Sequence, residues 1–295
     1  MLTETIKNRY YLSYISNDRD VIGVLVVNHR LKKLMSKYPL ACLCTKDVSI
    51  KSRDFLKKFG IKIIDINFYE NLEKFDIDKN KLDCLYKKHT FGKLFLFLIE
   101  NIKCVYLDSD FYINKNIDHL FDYDTSDKGI YMTNDLLERP MNSNNNREIL
   151  NICNQFNSGL IIFESNTIMF NQIAKYISST PYETIKSWHS DQTILNYLFF
   201  KKNLKVTTLS HKYNLIFNSL DFFIKNKLIE EGDIHIVHYT LPAKPWLIDG
   251  INRTGVGLCK KYWLKWFDAY YELQENNFNS SNINYVKISN LFIEE

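Results

Sequence analysis

Two carboxylates one residue apart, in Val-Tyr-Leu-Asp108-Ser109-Asp110, are the side chains best placed to do chemistry. They follow a short apolar run, residues 103–107, that reads as a buried strand. Alternate residues of an extended chain share a face, so both acids can turn toward one cation. Ligands of open α/β sheets bind at the carboxyl ends of strands, where this pair stands. Hard carboxylate oxygens suit Mg²⁺ or Mn²⁺ held together with a diphosphate. An Asp-X-Asp also arises by chance, and an Asp after a strand often only caps a turn. The motif needs support from elsewhere in the chain.

Four further segments carry candidate chemistry, each with a plainer structural alternative. Lys93, in Thr90-Phe91-Gly92-Lys93-Leu94, is either a ligand-contacting lysine or a solvated lysine on a helix face. Asn157-Ser158-Gly159 reads as a polar contact segment or as a turn or bulge. Asp191-Gln192 opens a helix candidate, where an Asp is also a favoured N-cap. His238, at the end of a late strand, is either a ligand through a neutral ring nitrogen or a half-buried core histidine. Lys244, in Lys-Pro-Trp, supplies a point charge for phosphate. Gly255-Val-Gly257 is too short for a dinucleotide fingerprint, and no Walker A sequence is present. Trp263, Trp266, Tyr270 and Tyr271 recur at helical spacing and read as packing.

The elements that must position these residues alternate. Strands are expected at 10–15, 39–44, 61–66 and 103–107, with helices at 17–37, 49–59 (closed by Gly60) and about 92–101. Such β–α alternation implies an α/β fold, a mainly parallel central sheet flanked by helices. The second half is less regular. Strands are expected at 129–133, 158–164 and 233–239, and helices near 167–177 and 191–200. An amphipathic helix is expected after Lys261. Met141–Arg147 is Asn-rich and loop-like, and the Asn/Ser-rich stretch 276–282 reads as mobile. No linker divides the chain, so residues 1–260 are taken as one catalytic domain and 261–295 as a terminal helix and tail.

Composition excludes several classes. The chain has 295 residues, 45% of them apolar, and a net charge of +4, with lysines scattered rather than massed. That is ordinary globular composition, with no nucleic-acid footprint. No run approaches a membrane span, and the N-terminal residues lack a signal-peptide core. The six cysteines form no CxxC pair or zinc spacing, and Cys104 in its apolar run reads as a buried free thiol. These features fit a reducing, cytoplasmic setting.

Taken in order and spacing, the five segments resemble glycosyltransferase family 8, most closely its glycogenin-like branch, over roughly residues 10–246. The resemblance implies a GT-A fold and retaining transfer of a hexose, glucose or galactose, from a UDP-sugar. It implies that Asp108, Asp110 and His238 ligate Mn²⁺ (or Mg²⁺), with Ser109 between the acids. By the same resemblance Lys93 touches the sugar nucleotide and Lys244 the diphosphate. Asn157, Ser158 and Asp135 would contact the donor sugar, Asp191 and Gln192 would lie on its reacting face, and Tyr14, Ser16 and Asn17 would bind uridine. Family relatives often dimerise.

The chain departs from the glycogenin-like pattern at three points. The loop from His238 to Lys244 has no glycine, and Leu241 stands within it. Asp20 occupies the place of an aromatic that would stack on uracil. The stretch Tyr213 to Phe223 holds no tyrosine beyond Tyr213, which predicts that the acceptor is another molecule rather than the chain itself. The first two departures motivate an alternative, a UDP-sugar-binding protein without transfer activity. A phosphotransferase with a nucleophilic Asp fits less well, because that class places its Asp-X-Asp at the first strand, whereas Asp108 follows several β/α elements.

Overall fold

The computed structural model describes residues 8–67, 70, 73, 88–99, 102–126, 129–135, 155–164, 167–186, 190–201, 205–240, 244–246 and 257–278. The Asn-rich stretch 141–147, Leu241 and the tail beyond 278 lie outside them.

Strands β1 (Asn8–Ile15), β2 (Leu40–Thr45), β3 (Lys62–Ile66) and β4 (Ile102–Leu107) pair in parallel, in the order β3-β2-β1-β4. Every residue of β2 and β4 is buried. That explains their largely apolar sequences, broken only by Lys103 and Thr45, since a strand covered on both faces has no solvent side. The sheet continues through β7 (Phe156–Glu164), β6 (Ile130–Asn134) and β8 (Val206–Leu209). β7 runs antiparallel to β4 and β6, and β8 runs parallel to β6. The seven-stranded sheet is therefore mainly parallel, as the alternation predicts.

Side chains from its two faces enter two cores. Val105 and Leu107 of β4 point into one with helices α1 (Val21–Lys33) and the late helix Leu258–Phe278. Cys104 and Tyr106 point into the other, with the 3-10 segment Lys88–Leu98, α3 (Thr167–Ser179) and α5 (Asp191–Lys201). The shorter helices α2 (Ile50–Lys58), α4 (Tyr182–Lys186) and α6 (Leu220–Lys225) complete the flanks, and the late helix is α7. α2 starts on a real cap, the Ser49 side chain accepting from the Ser52 N–H. α7 packs on α1, and of the four aromatics read as packing Trp263, Trp266 and Tyr270 are buried in the same core, whereas Tyr271 faces solvent.

Several expectations shift. The helix expected from 17 begins as a 3-10 turn, Asp18–Asp20, before α1. The helix expected at 92–101 is the 3-10 segment Lys88–Leu98. Phe91, Leu94, Phe95, Leu96 and Phe97 are all buried there, so packing on every side replaces the one-faced period that a surface helix shows. The late strand is only Ile236–His238, preceded by a 3-10 turn Glu231–Asp233, because its antiparallel partner is three residues long.

That strand, β10 (Ile236–His238), lies between β5 (Phe111–Ile113) and β9 (Leu215–Ile216) in a small second sheet. β5 starts directly after Asp110. The small sheet thus begins where β4 ends, which is the step that builds the site. No helix of the described residues is long and apolar enough to cross a membrane.

Candidate functional site

The site forms at the carboxyl end of β4. Asp108 continues the strand by one residue, its N–H donating to the Gly159 carbonyl at 2.9 Å. The chain then turns through Ser109 and Asp110 into β5. Antiparallel pairing sets His238 opposite Phe111, and the Tyr239 N–H donates to the Asp110 carbonyl at 2.9 Å. Two sheets thereby bring a histidine 128 residues downstream (238 − 110) against the acids. His238 Nε2 lies 3.2 Å from Asp110 Oδ1 and 3.8 Å from Asp108 Oδ2. One ligand atom from each of the three residues lies within 4.8 Å of the others.

Asp110 is buried, and its Oδ1 has no hydrogen bond. Lys244 Nζ stands 3.4 Å from its other oxygen and 3.5 Å from Asp20 Oδ1. Burial works to raise the Asp110 pKa, and the Lys244 ammonium, with His238 beside it, holds it well below the usual carboxylate range. For Lys244, burial disfavours the charge, but Asp110 and Asp20 drive its pKa above the ordinary lysine value. An ionised carboxylate oxygen facing a ring nitrogen across 3.2 Å, in a buried setting, fits a cation placed between them. The donor set suits a divalent ion that accepts mixed oxygen and nitrogen ligands.

Lys93 is the second buried cation. It lies 3.0 Å from Asp108 Oδ1 and 3.2 Å from Asp191 Oδ2, and donates to the Ser158 carbonyl and hydroxyl at 3.2 Å. It is not the solvated helix-face lysine that the sequence also allowed. Burial pushes the Lys93 pKa down, and the two carboxylates more than offset this, leaving it raised. Asp191 is itself raised: burial dominates, Lys93 opposes it, and the Asp108 charge adds to it. Asp191 is the first residue of α5 rather than the residue before it.

Gln192 lies beside it and joins two segments. Its Oε1 accepts from the Ser158 N–H at 3.0 Å, and its Nε2 donates to Asp135 Oδ2 at 2.6 Å. Asn196, one turn on, exchanges bonds with the Phe156 backbone at 2.6 and 2.8 Å. α5 is thus clamped along the start of β7, and Asp191, Gln192, Asp135 and Ser158 share one wall.

These walls enclose a cleft of about 350 Å³. Of the residues expected at the site, Tyr14, Ser16, Lys93, Asp108, Ser109, Asp110, Asp135, Asn157, Ser158, Asp191, Gln192, His238 and Lys244 line it. Asn17 does not. Its Oδ1 accepts from the Asp20 N–H at 3.2 Å and its Nδ2 donates to Asp20 Oδ2 at 3.0 Å, so it caps the turn that leads into α1. Asp20 does line the cleft, at the end near Lys244. Sequence reasoning missed Asn214, which sits behind His238 and whose signal was no more than one asparagine after Tyr213. It also missed Trp246's partner surfaces, Trp266 and the α1 backbone near Gly23.

The sequence profile of glycosyl transferase family 8 matches residues 5–250. Galactinol synthase 1 of Arabidopsis thaliana is 26% identical over 289 residues, spanning 89% of this chain and 79% of its own length. Galactinol synthase 1 of Solanum lycopersicum is 27% identical over 276 residues, spanning 88% and 81%. Among solved structures, the galactosyltransferase LgtC, in complex with donor and acceptor sugar analogs, superposes with a TM-score of 0.63 at 16% identity. That superposition covers 94% of this chain and 98% of LgtC, and it shows a shared fold.

Proposed function

This chain belongs to glycosyltransferase family 8, and from that premise we propose that it is a metal-dependent, retaining hexosyltransferase that takes its sugar from a UDP-sugar. The observation that carries the reading is the convergence of Asp108, Asp110 and His238 beside Lys244 at one end of a polar cleft. A divalent ion such as Mn²⁺ held there supplies Lewis-acid stabilisation to a departing diphosphate, worth several kcal/mol.

The chain's own residues do the rest. Lys244 adds a fixed positive charge toward the same phosphates, without reorganisation at the moment of reaction. Lys93 holds half-buried Asp108 and buried Asp191 in place and keeps the two carboxylates from repelling one another. The wall of Asp135, Ser158, Asp191 and Gln192 offers hydroxyl, amide and carboxylate groups to a sugar ring, and Asp191 places negative charge where an electron-poor anomeric carbon would develop. Tyr14 and Ser16 at the end of β1 lie where a uridine would enter.

Galactose is the hexose favoured here, because the two plant relatives named above are galactinol synthases. The acceptor is a separate molecule. Tyr213, the one tyrosine of the stretch 213–223, is buried and bonded through its hydroxyl to His119 at 2.8 Å, so it is not offered for self-glycosylation.

The test is turnover of UDP-galactose and UDP-glucose with Mn²⁺ and with chelator. Metal-dependent release of UDP, abolished in Asp110→Ala, is expected. No turnover of any UDP-hexose by the wild-type chain, with water or with polyol and sugar acceptors, would sink the enzyme reading; UDP binding without turnover would leave a binding protein.

A further inference from the structure

A chain of buried hydrogen bonds behind the site has its direction fixed at one end by the backbone. The Gly159 N–H, which can only donate, points at Asn157 Oδ1 across 2.9 Å. That atom must therefore be the amide oxygen. Asn214 meets the same oxygen at 2.9 Å, so the Asn214 atom there is the amide nitrogen. The nitrogen also donates to the Thr133 hydroxyl at 2.9 Å, which uses both its hydrogens. The opposite Asn214 atom is then its oxygen, 2.8 Å from His238 Nδ1. An oxygen accepts, so the ring must carry a hydrogen on Nδ1. All four side chains are buried: Asn214 is 1% exposed, Thr133 0%, His238 3% and Asn157 5%.

We propose that Asn214 is a positioning residue that sets the tautomer of His238, holding the hydrogen on Nδ1 and leaving the Nε2 lone pair toward Asp108 and Asp110 for a divalent cation. The inference rests on the metal reading above and goes beyond it. An imidazole has two equivalent-looking nitrogens, and only a partner on one determines which is free to ligate. An amide's oxygen and nitrogen are told apart only by their partners. Here the first partner is a main-chain N–H, which has one role.

The arrangement also gives Asn157 a use different from a direct sugar contact through its oxygen. That oxygen already serves Gly159 and Asn214, so the part of Asn157 left for a donor is its Nδ2. β9 follows Asn214 directly and pairs with β10, so the backbone that carries the asparagine and the strand that carries the histidine are hydrogen-bonded neighbours. The bulge between Met132 and Thr133 brings Thr133 level with Asn157, closing the set.

The test compares Asn214→Ala with Thr133→Val. Both cut into the same buried network: Thr133→Val removes the one bond from Asn214 Nδ2, Asn214→Ala removes that bond and two more, and only Asn214→Ala removes the acceptor on Nδ1. Mn²⁺ affinity, read by calorimetric titration in the presence of UDP, is expected to fall about 10- to 100-fold in Asn214→Ala and to stay within about threefold in Thr133→Val. Equal affinities for Asn214→Ala and wild type, in folded protein, would overturn the proposal, as would an equal loss in both variants. No Mn²⁺ binding by wild type would instead overturn the metal reading itself. Should Asn214→Ala not fold, nitrogen NMR of the wild-type imidazoles decides, with His238→Gln identifying the signal: a neutral ring protonated on Nδ1 supports the proposal and one protonated on Nε2 refutes it.

Discussion

Gly159 packs directly against the Cε1 and Nδ1 atoms of His238. A Cβ placed on Gly159 would lie 2.5 Å from His238 Cε1 and 3.0 Å from Nδ1, well inside van der Waals contact. The glycine of Asn-Ser-Gly therefore makes room for the ring rather than supplying a turn. Gly159→Ala is expected to displace the imidazole and lower Mn²⁺ affinity about 10-fold or more, the size seen when a ligand's support is disturbed. Thermal denaturation should show a loss of about 1–3 kcal/mol from overpacking. Unchanged Mn²⁺ affinity would mean that the ring is not held in this position.

Lys93 joins Asp108 to Asp191, and replacing it separates its structural from its chemical contribution. Lys93→Met leaves buried Asp191 and half-buried Asp108 without their shared cation, and the expected cost is about 3–5 kcal/mol, set by the buried charge of Asp191, with loss of turnover. Adding Asp191→Asn removes one of the two charges and is expected to restore much of the stability and none of the activity. Urea denaturation of the single and double variants checks this. A single variant as stable as wild type would show that the carboxylates relieve one another in another way.

The first half of the fold was legible because buried parallel strands are short, largely apolar runs. β2 and β4 announce themselves that way, and Asp108 and Asp110 were found because they terminate such a run. β5 and β9, three and two residues long, have no period to read, so the family resemblance brought His238 to Asp110 while no strand pattern showed the second sheet that does it. The helix expected at about 92–101 is the 3-10 segment Lys88–Leu98, because an all-round apolar segment gives the same composition in either helical form. Asn17 and Asn214 show the limit for single polar residues. One caps a turn and the other orients a ligand, and both are asparagines beside a strand. Only the partner atom tells them apart.

The turn that bears Asp108 and Asp110 rests on α1 at Gly23. A Cβ there would lie 2.3 Å from the Ser109 carbonyl oxygen and 2.6 Å from the Trp246 ring. The first contact is with backbone, which cannot rotate aside, and the second is with the residue two past Lys244, whose ring also packs on Trp266 of α7. Gly23→Ala is expected to reduce turnover and raise the KM for the UDP-sugar together, because the carboxylates and Lys244 both lean on this point. Trp246→Ala should raise KM with a smaller effect on stability. Steady-state kinetics with UDP-galactose measures both; a normal KM in Gly23→Ala would show that the turn shifts without cost.

Asp118 offers a pH-dependent test far from the chemistry. Its Oδ1 accepts from Tyr11 at 2.9 Å and Ser36 at 2.6 Å, and its Oδ2 from the Lys37 N–H at 2.9 Å, tying the end of α1 to β1. Burial works to raise its pKa, but the bonds from Ser36, Lys37, Tyr11 and Asn116 hold it below the usual value. A carboxyl depressed in the folded state stabilises fully above its unfolded pKa, roughly 3.9, and loses that contribution as pH falls through the folded value. Asp118→Asn should therefore cost about 1–3 kcal/mol near neutrality, the worth of hydrogen bonds to a charged group. The gap to wild type should stay level above pH ~5 and narrow below pH ~4, because the unfolded wild-type chain takes up its proton first. Urea denaturation from neutral pH down to the acid limit measures it, and a gap that stays constant into acid would show that the Asp118 charge contributes nothing to the fold.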